Sequence, residues 1–207
     1  MRRPLAVAST FAAFVVCGAL FAGIQLSPAA QASPPAESDR APGAVIATVR
    51  DAADDLPNDA DMMFAVMMIP HHQQAIQLAR ILADTAGIGD FSLALAAFID
   101  RDQTREIAEM QDWLDAWHRA GIMSHDGAGL MAGMATPEQL AALEAADGAA
   151  AEQLFLDLMI AHHEGALLMT QEVLGQGNNS YIRTLAKHVA AEQEREIEAM
   201  RLRLDAG

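Results

Sequence analysis

Two histidine pairs carry most of the chemistry this sequence could perform. His71-His72 and His162-His163 each follow methionines: Met67 and Met68 precede the first pair, Met159 the second. On a helix, residues three and four apart are surface neighbours. Met67 then lies one turn from His71, Met68 adjoins both His71 and His72, and Met159 holds the matching place beside His162 and His163. Successive helical residues point about 100° apart, so two adjacent imidazoles converge on one ligand only with help from a second element. Neutral imidazole with thioether suits a soft ion, Cu(I) or by similarity Ag(I), better than Mg2+ or Ca2+.

A partner helix can supply that second element. Gln103, Glu106 and Met110 share one helical face, and Gln193, Glu196 and Met200 repeat the spacing. A carboxylate accepting from an imidazole N–H is the usual outer partner of a metal-bound histidine. The expected metal set is therefore His71, His72, His162, His163, Met67, Met68 and Met159, surrounded by Glu106, Glu196, Gln103, Gln193, Met110 and Met200. Copper, as Cu(I) or Cu(II), is the expected ion. The same residues fit a plainer use equally well. Methionine fills irregular core gaps, and His–Glu pairs can be buried hydrogen bonds that lock helices together.

Three further features flank this set. The crossover carries His118, Met123, His125, Met131 and Met134, which fits capture of a soft cation or a surface loop with tucked-in methionines. His188, Glu192 and Glu196 share a helical stripe that reads as a local ion pair, because the first repeat has Phe98 in place of His188. Pro70 falls inside a helical pattern, where it removes one N–H and crowds the carbonyl of Val66.

The elements that must position these groups read as helices. Of the 207 residues, 52% are apolar but only 5% aromatic, and Ala, Leu and Met supply the apolar weight. That balance favours helix over strand. Apolar residues recur at helical spacing from Asp61 to Asp84, Phe91 to His118, Ala150 to Leu174 and Ser180 to Leu204. Asn58 offers an N-cap for the first, and Thr136-Pro137-Glu138-Gln139 starts a short extra helix in the crossover. The segment from Asp61 to His72 lies over Glu152 to His163, and Gln103-x-x-Glu106-Ile107-x-x-Met110 lies over Gln193-x-x-Glu196-Ile197-x-x-Met200. This internal repeat predicts an all-α four-helix bundle made of two repeated hairpins, spanning about 59–118 and 150–205 within a domain of 57–205.

Composition limits the partners. The formal net charge is −15, more negative still without Arg2 and Arg3. Nucleic acid and anionic lipid are poor partners for such a surface, and cations natural ones. Residues 1–32 read as a signal peptide: Arg2-Arg3, an uncharged run from Leu5 to Ile24, then Ala30-Gln31-Ala32 as a cleavage site. The run is nearly long enough to remain as an uncleaved anchor, which would be the only membrane contact. Residues 33–56 read as a flexible linker. Export is expected in either case. Cys17, within this leader, is the sole cysteine, which excludes thiolate zinc sites and iron–sulfur clusters from the mature chain. No Glu-x-x-His pair, nucleophile elbow, phosphate loop or His-Glu-x-x-His motif points to an enzyme.

At Phe64-x-x-x-Met68-Ile69-Pro70-His71-His72, Gly133-Met134-Ala135-Thr136-Pro137-Glu138, Phe155-x-x-x-Met159-Ile160-Ala161-His162-His163-Glu164-Gly165-Ala166 and both Gln-x-x-Glu-Ile-x-x-Met segments, the chain resembles the domain-of-unknown-function family numbered 305. The resemblance covers about Asp59 to Leu204. It implies a ferritin-like bundle, secreted or periplasmic, sometimes linked to copper handling. The sequence departs from that pattern at Gln73-Gln74 in place of Glu-Gly, at Leu78 where Met is common, and at Arg203 where the first repeat has Trp113. The leading expectation is extracytoplasmic binding of copper or another soft ion for tolerance or trafficking. The alternatives are a redox metalloenzyme using Glu106 and Glu196, and a metal-free helical interaction bundle.

Overall fold

The computed structural model describes residues 55–119 and 131–206. The expected leader 1–32, most of the linker 33–56, and Met123 and His125 lie outside them. Among these residues five helices follow in order: α1 Asp59–Asp84, α2 Asp90–Arg119, α3 Pro137–Ala145, α4 Gly148–Gln176 and α5 Ser180–Ala206. Helix α1 packs on α2, α4 on α5, and the two hairpins join chiefly through α1 and α4, with short α3 laid across both. The expected bundle of two hairpins with an extra crossover helix is the one observed.

The local signals act where expected. The Asn58 side chain accepts from the N–H groups of Ala60 and Asp61, and Asp61 accepts in return from the Asn58 N–H. Thr136 and Gln139 form the same reciprocal cap on α3, with Pro137 in its first turn. Pro70 lies inside α1 without ending it.

The interior is layered, and the repeat dictates the layers. One apolar cluster gathers Leu78 and Leu82 of α1, Ile99 of α2, Leu143 of α3, Phe155 and Met159 of α4, and Met200 of α5. The other gathers Phe64 and Met68 of α1, Met110 and Trp113 of α2, Ala166 of α4, and Ile182 and Val189 of α5. Between them along each long helix sit the buried polar residues: His71 and His72, Gln103 and Glu106, His162 and His163, Gln193 and Glu196. A polar layer thus cuts the core in two.

Equivalent residues of the repeat tie the two ends. Asp61 is fully buried, and its Oδ2 accepts from the N–H groups of Asn58, Asn178 and Asn179, fixing the α4–α5 turn to the start of α1. Its counterpart Glu152 accepts from Ser92 at the start of α2 and from both nitrogens of the Arg203 fork. This explains the departure at Arg203. Trp113 at the matching corner donates its indole N–H to Asn179, whereas Arg203 meets a carboxylate, for which a guanidinium is the better donor. Asp61→Ala should lower the unfolding free energy by about 2–4 kcal/mol in urea denaturation, since three N–H groups lose their acceptor. Asp61→Asn, which keeps one acceptor oxygen, should lose less.

Candidate metal centre

The four imidazoles meet in the central layer, each with no solvent exposure. His72 Nε2 is 2.9 Å from Glu106 Oε2, and His163 Nε2 is 2.5 Å from Glu196 Oε2. His71 Nε2 donates to the Ala132 carbonyl at 3.1 Å. The His71 and His162 rings lie 3.8 Å apart between centroids. Burial pushes the His71 imidazole down to about 3 against the Ala132 hydrogen bond, and pushes His162 well below its ordinary value. Both are neutral at pH 7.

The layer is short of hydrogen-bond partners among the described residues. His71, His72 and His163 leave Nδ1 unpaired, His162 both nitrogens, and Gln103 and Gln193 both ends of their amides. A buried polar atom without a partner costs about 1–3 kcal/mol, so such clusters usually serve a ligand, an ion or ordered water. With Nε2–H given to an oxygen, a neutral imidazole keeps a bare Nδ1 lone pair, the protonation pattern a metal ligand needs. The donor set therefore fits a metal ion chemically. The four histidines do not bring three ligand atoms to one point, however. Among the described residues, Asp102, His188 and Glu192 are the one group of three His, Asp or Glu ligand atoms within 4.8 Å of one another.

The crossover backbone is pressed against this layer. Gly133 has φ +80°, and a Cβ there would collide with the Ala161 carbonyl oxygen. A Cβ on Gly165 would fall on the Ala132 carbonyl. Across the bundle, Gln74 grips the same segment twice, donating to the Ala135 carbonyl at 2.9 Å and accepting from its N–H at 2.7 Å. Gln74 and Gly165 occupy the same repeat position. One irregular crossover segment touches two equivalent helices, so one helix must be bare where the segment lies against it and the other must reach out to hold it. That is the physical reason for the departure at Gln74.

Above His71 a cavity of about 240 Å3 opens between α1, α4 and residues 131–132. Met63, Met67, Met131 and Met169 line it, Glu172 stands at its side, and buried Phe64 and Val173 close its inner end. Met63 is 41% exposed, so the thioethers are reachable from solvent. Ala132 belongs to both places, lining the cavity while its carbonyl holds His71.

The repeat provides an internal control. The residues equivalent to Met63, Met67 and Met169 are Leu154, Leu158 and Leu78. That leucine set packs into the first apolar cluster with Leu140 and Leu143 of α3. Leucine and methionine substitute for one another in packing at low cost, so packing alone gives no reason for sulfur on one side and hydrocarbon on the other. The sulfur-bearing copy is the one left open.

Among the expected ligands, Met67 reaches the cavity, and the four histidines share the buried layer. Met68 and Met110 are fully enclosed in one apolar cluster, Met159 and Met200 in the other, on the two sides of the imidazoles. Glu106 and Glu196 partner histidines as expected. Met131 is expected only as part of the crossover, and Met63, Met169 and Glu172 are not among the expected ligands. The available signal was Met63 and Met67 at i, i+4, with Met169 at the position where the first repeat has Leu78.

The fold recurs in known proteins. No curated protein matches the chain. A Streptomyces coelicolor protein of family DUF305, described as secreted, is 32% identical with a TM-score of 0.62, covering 68% of this chain and 88% of its own. A DUF305 fragment from Deinococcus radiodurans is 27% identical at a TM-score of 0.63, covering 72% and 98%. CopM in its Cu(I)-bound form is 29% identical at a TM-score of 0.59, covering 70% and 96%; it is also known in Ag-bound, Cu(II)-bound and apo forms. The family's sequence profile matches residues 61–204, and the chain belongs to this family, the domain of unknown function DUF305.

Proposed function

We propose that this protein binds Cu(I), or the chemically similar Ag(I), outside the cytoplasm, and that the ion is held first by the thioethers of Met63, Met67, Met131 and Met169. The observation that carries the reading is the broken symmetry: sulfur lines the open copy of a repeated pocket, and leucine fills the closed one. Thioethers are soft, uncharged donors that select Cu(I) over hard cations. Glu172 beside them and the acidic surface favour a cation's approach. The similarity to CopM in its Cu(I)- and Ag-bound forms supports the choice of ion. One turn below, the unpaired nitrogens of His71 and His162 are the donors an ion would meet on moving inward. The leader-like residues 1–32 and the Streptomyces relative support export. Reversible capture of an ion fits tolerance or trafficking.

The test is competitive titration of Cu(I) and Ag(I) against a chromogenic chelator. Combining Met63→Leu, Met67→Leu and Met169→Leu should weaken binding by about a hundredfold or more, a loss of at least ~2.7 kcal/mol. Each change conserves volume, so the fold should survive it. Met68→Leu with Met159→Leu should leave affinity unchanged. The opposite pattern would remove the cavity from the account.

A further inference from the structure

Helices α2 and α5 share a second set of ligand atoms, made of nitrogen and oxygen and not of sulfur. From Asp102, His188, Glu192 and Glu106 we infer that this face holds a divalent cation of the zinc type. Asp102, His188 and Glu192 each offer one ligand atom within 4.8 Å of the others. A fourth donor comes from inside the bundle. Glu106 is 3% exposed; its Oε2 meets His72, while its Oε1 has no hydrogen-bond partner and lies 3.8 Å from His188 Nε2. A buried carboxylate oxygen aimed at a surface imidazole is not needed for the His72 contact, and a cation beside His188 would satisfy it.

The position already attracts positive charge. Arg105 places Nη2 2.7 Å from Asp102 Oδ1 and 3.3 Å from His188 Nε2, so a donor stands between an acceptor oxygen and an imidazole nitrogen. The His188 nitrogen facing inward is thereby acting as an acceptor, as a metal ligand must. Arg105 is half exposed and has Glu109 3.7 Å from its Nε, an alternative partner to which it can withdraw. Arg195 pairs with Glu192 from the solvent side. One imidazole with carboxylates is a donor set for Zn2+ and other borderline divalent ions, and it lacks the sulfur that Cu(I) prefers. Glu106 would then bridge the site to His72 as the carboxylate of a metal–carboxylate–histidine chain.

The experiment is calorimetric titration of Zn2+ into the untagged protein, with folding of each variant checked by its melting temperature. One equivalent should bind. His188→Ala and Glu192→Gln should each weaken it roughly tenfold or more, the scale on which lost ligands and their partners act. Arg105→Gln should tighten it by removing the competing guanidinium, and Met67→Leu should leave it unchanged. Zinc should also shift the His188 imidazole nitrogen resonance. Binding that survives His188→Ala intact, no binding by the natural chain, or binding by Arg105→Gln alone would each overturn the inference. Because the cavity methionines are absent from this site, failure here and failure of Cu(I) binding are separate results.

Discussion

Acidifying the metal-free protein from pH 7 to pH 4.5 should remove about 2.5 kcal/mol of its stability through His71 alone, a large share of what an ordinary domain possesses, with His162 adding to the loss. His71 and His162 are held neutral by burial, with folded values at about 3 and well below normal, against an ordinary 6.5. Below pH 6.5 the unfolded chain takes up protons that the folded chain refuses. Their contribution is therefore fully present above pH 6.5 and is lost steadily as pH falls below it, for His71 down to about 3. His71 gives a slope of about 1.4 kcal/mol per pH unit across this range, which yields the figure above by pH 4.5, and His162 steepens it in the same direction. Urea titrations at several pH values measure it directly. His162→Leu should lower the slope while leaving stability at pH 7 little changed, because a buried neutral imidazole gives way to buried hydrocarbon. A slope unchanged by that substitution would mean the acid sensitivity lies elsewhere.

Gly165→Ala should destabilise the fold by about 2–4 kcal/mol, although alanine is the better helix former by roughly 1 kcal/mol. The added methyl group would fall on the Ala132 carbonyl carbon and oxygen and on the Gly133 nitrogen, all backbone atoms of the crossover. Backbone cannot swing aside as a side-chain tip can, so the segment must lift. Lifting takes Ala132 from His71 and Ala135 from Gln74, and draws Met131 away from the cavity. Gly175→Ala is the matched control on the same helix, since nothing lies within 4 Å of its Cβ position. It should be neutral or mildly stabilising. The same exchange ten residues apart should thus change sign, as thermal or urea melts will show, and only Gly165→Ala should also weaken Cu(I) binding.

The bundle was legible because its signals are local and doubled. Asn58 and Thr136 announce helix starts, and a repeat of His-His against Gln-x-x-Glu implies two equivalent hairpins whose polar residues meet at one level. The pairing of His72 with Glu106 and His163 with Glu196 follows from that register. What helical spacing cannot reveal is which neighbours face an opening. Met68 stands three residues from His71 and Met67 four, yet the bundle turns Met68 wholly into hydrocarbon and leaves Met67 beside a cavity. Met169 and Met131 join Met67 only through tertiary packing, and residue 131 belongs to an irregular segment with no period to read. His188 reads as a local ion pair for the same reason. The inward oxygen of Glu106 becomes visible only when α2 and α5 stand side by side.

X-ray absorption at the copper edge of the Cu(I)-loaded protein tests the central claim most directly. Thioether capture predicts a first shell dominated by sulfur, lost when Met63, Met67 and Met169 become leucine. A shell of nitrogen and oxygen alone, unaltered by those substitutions, would contradict it.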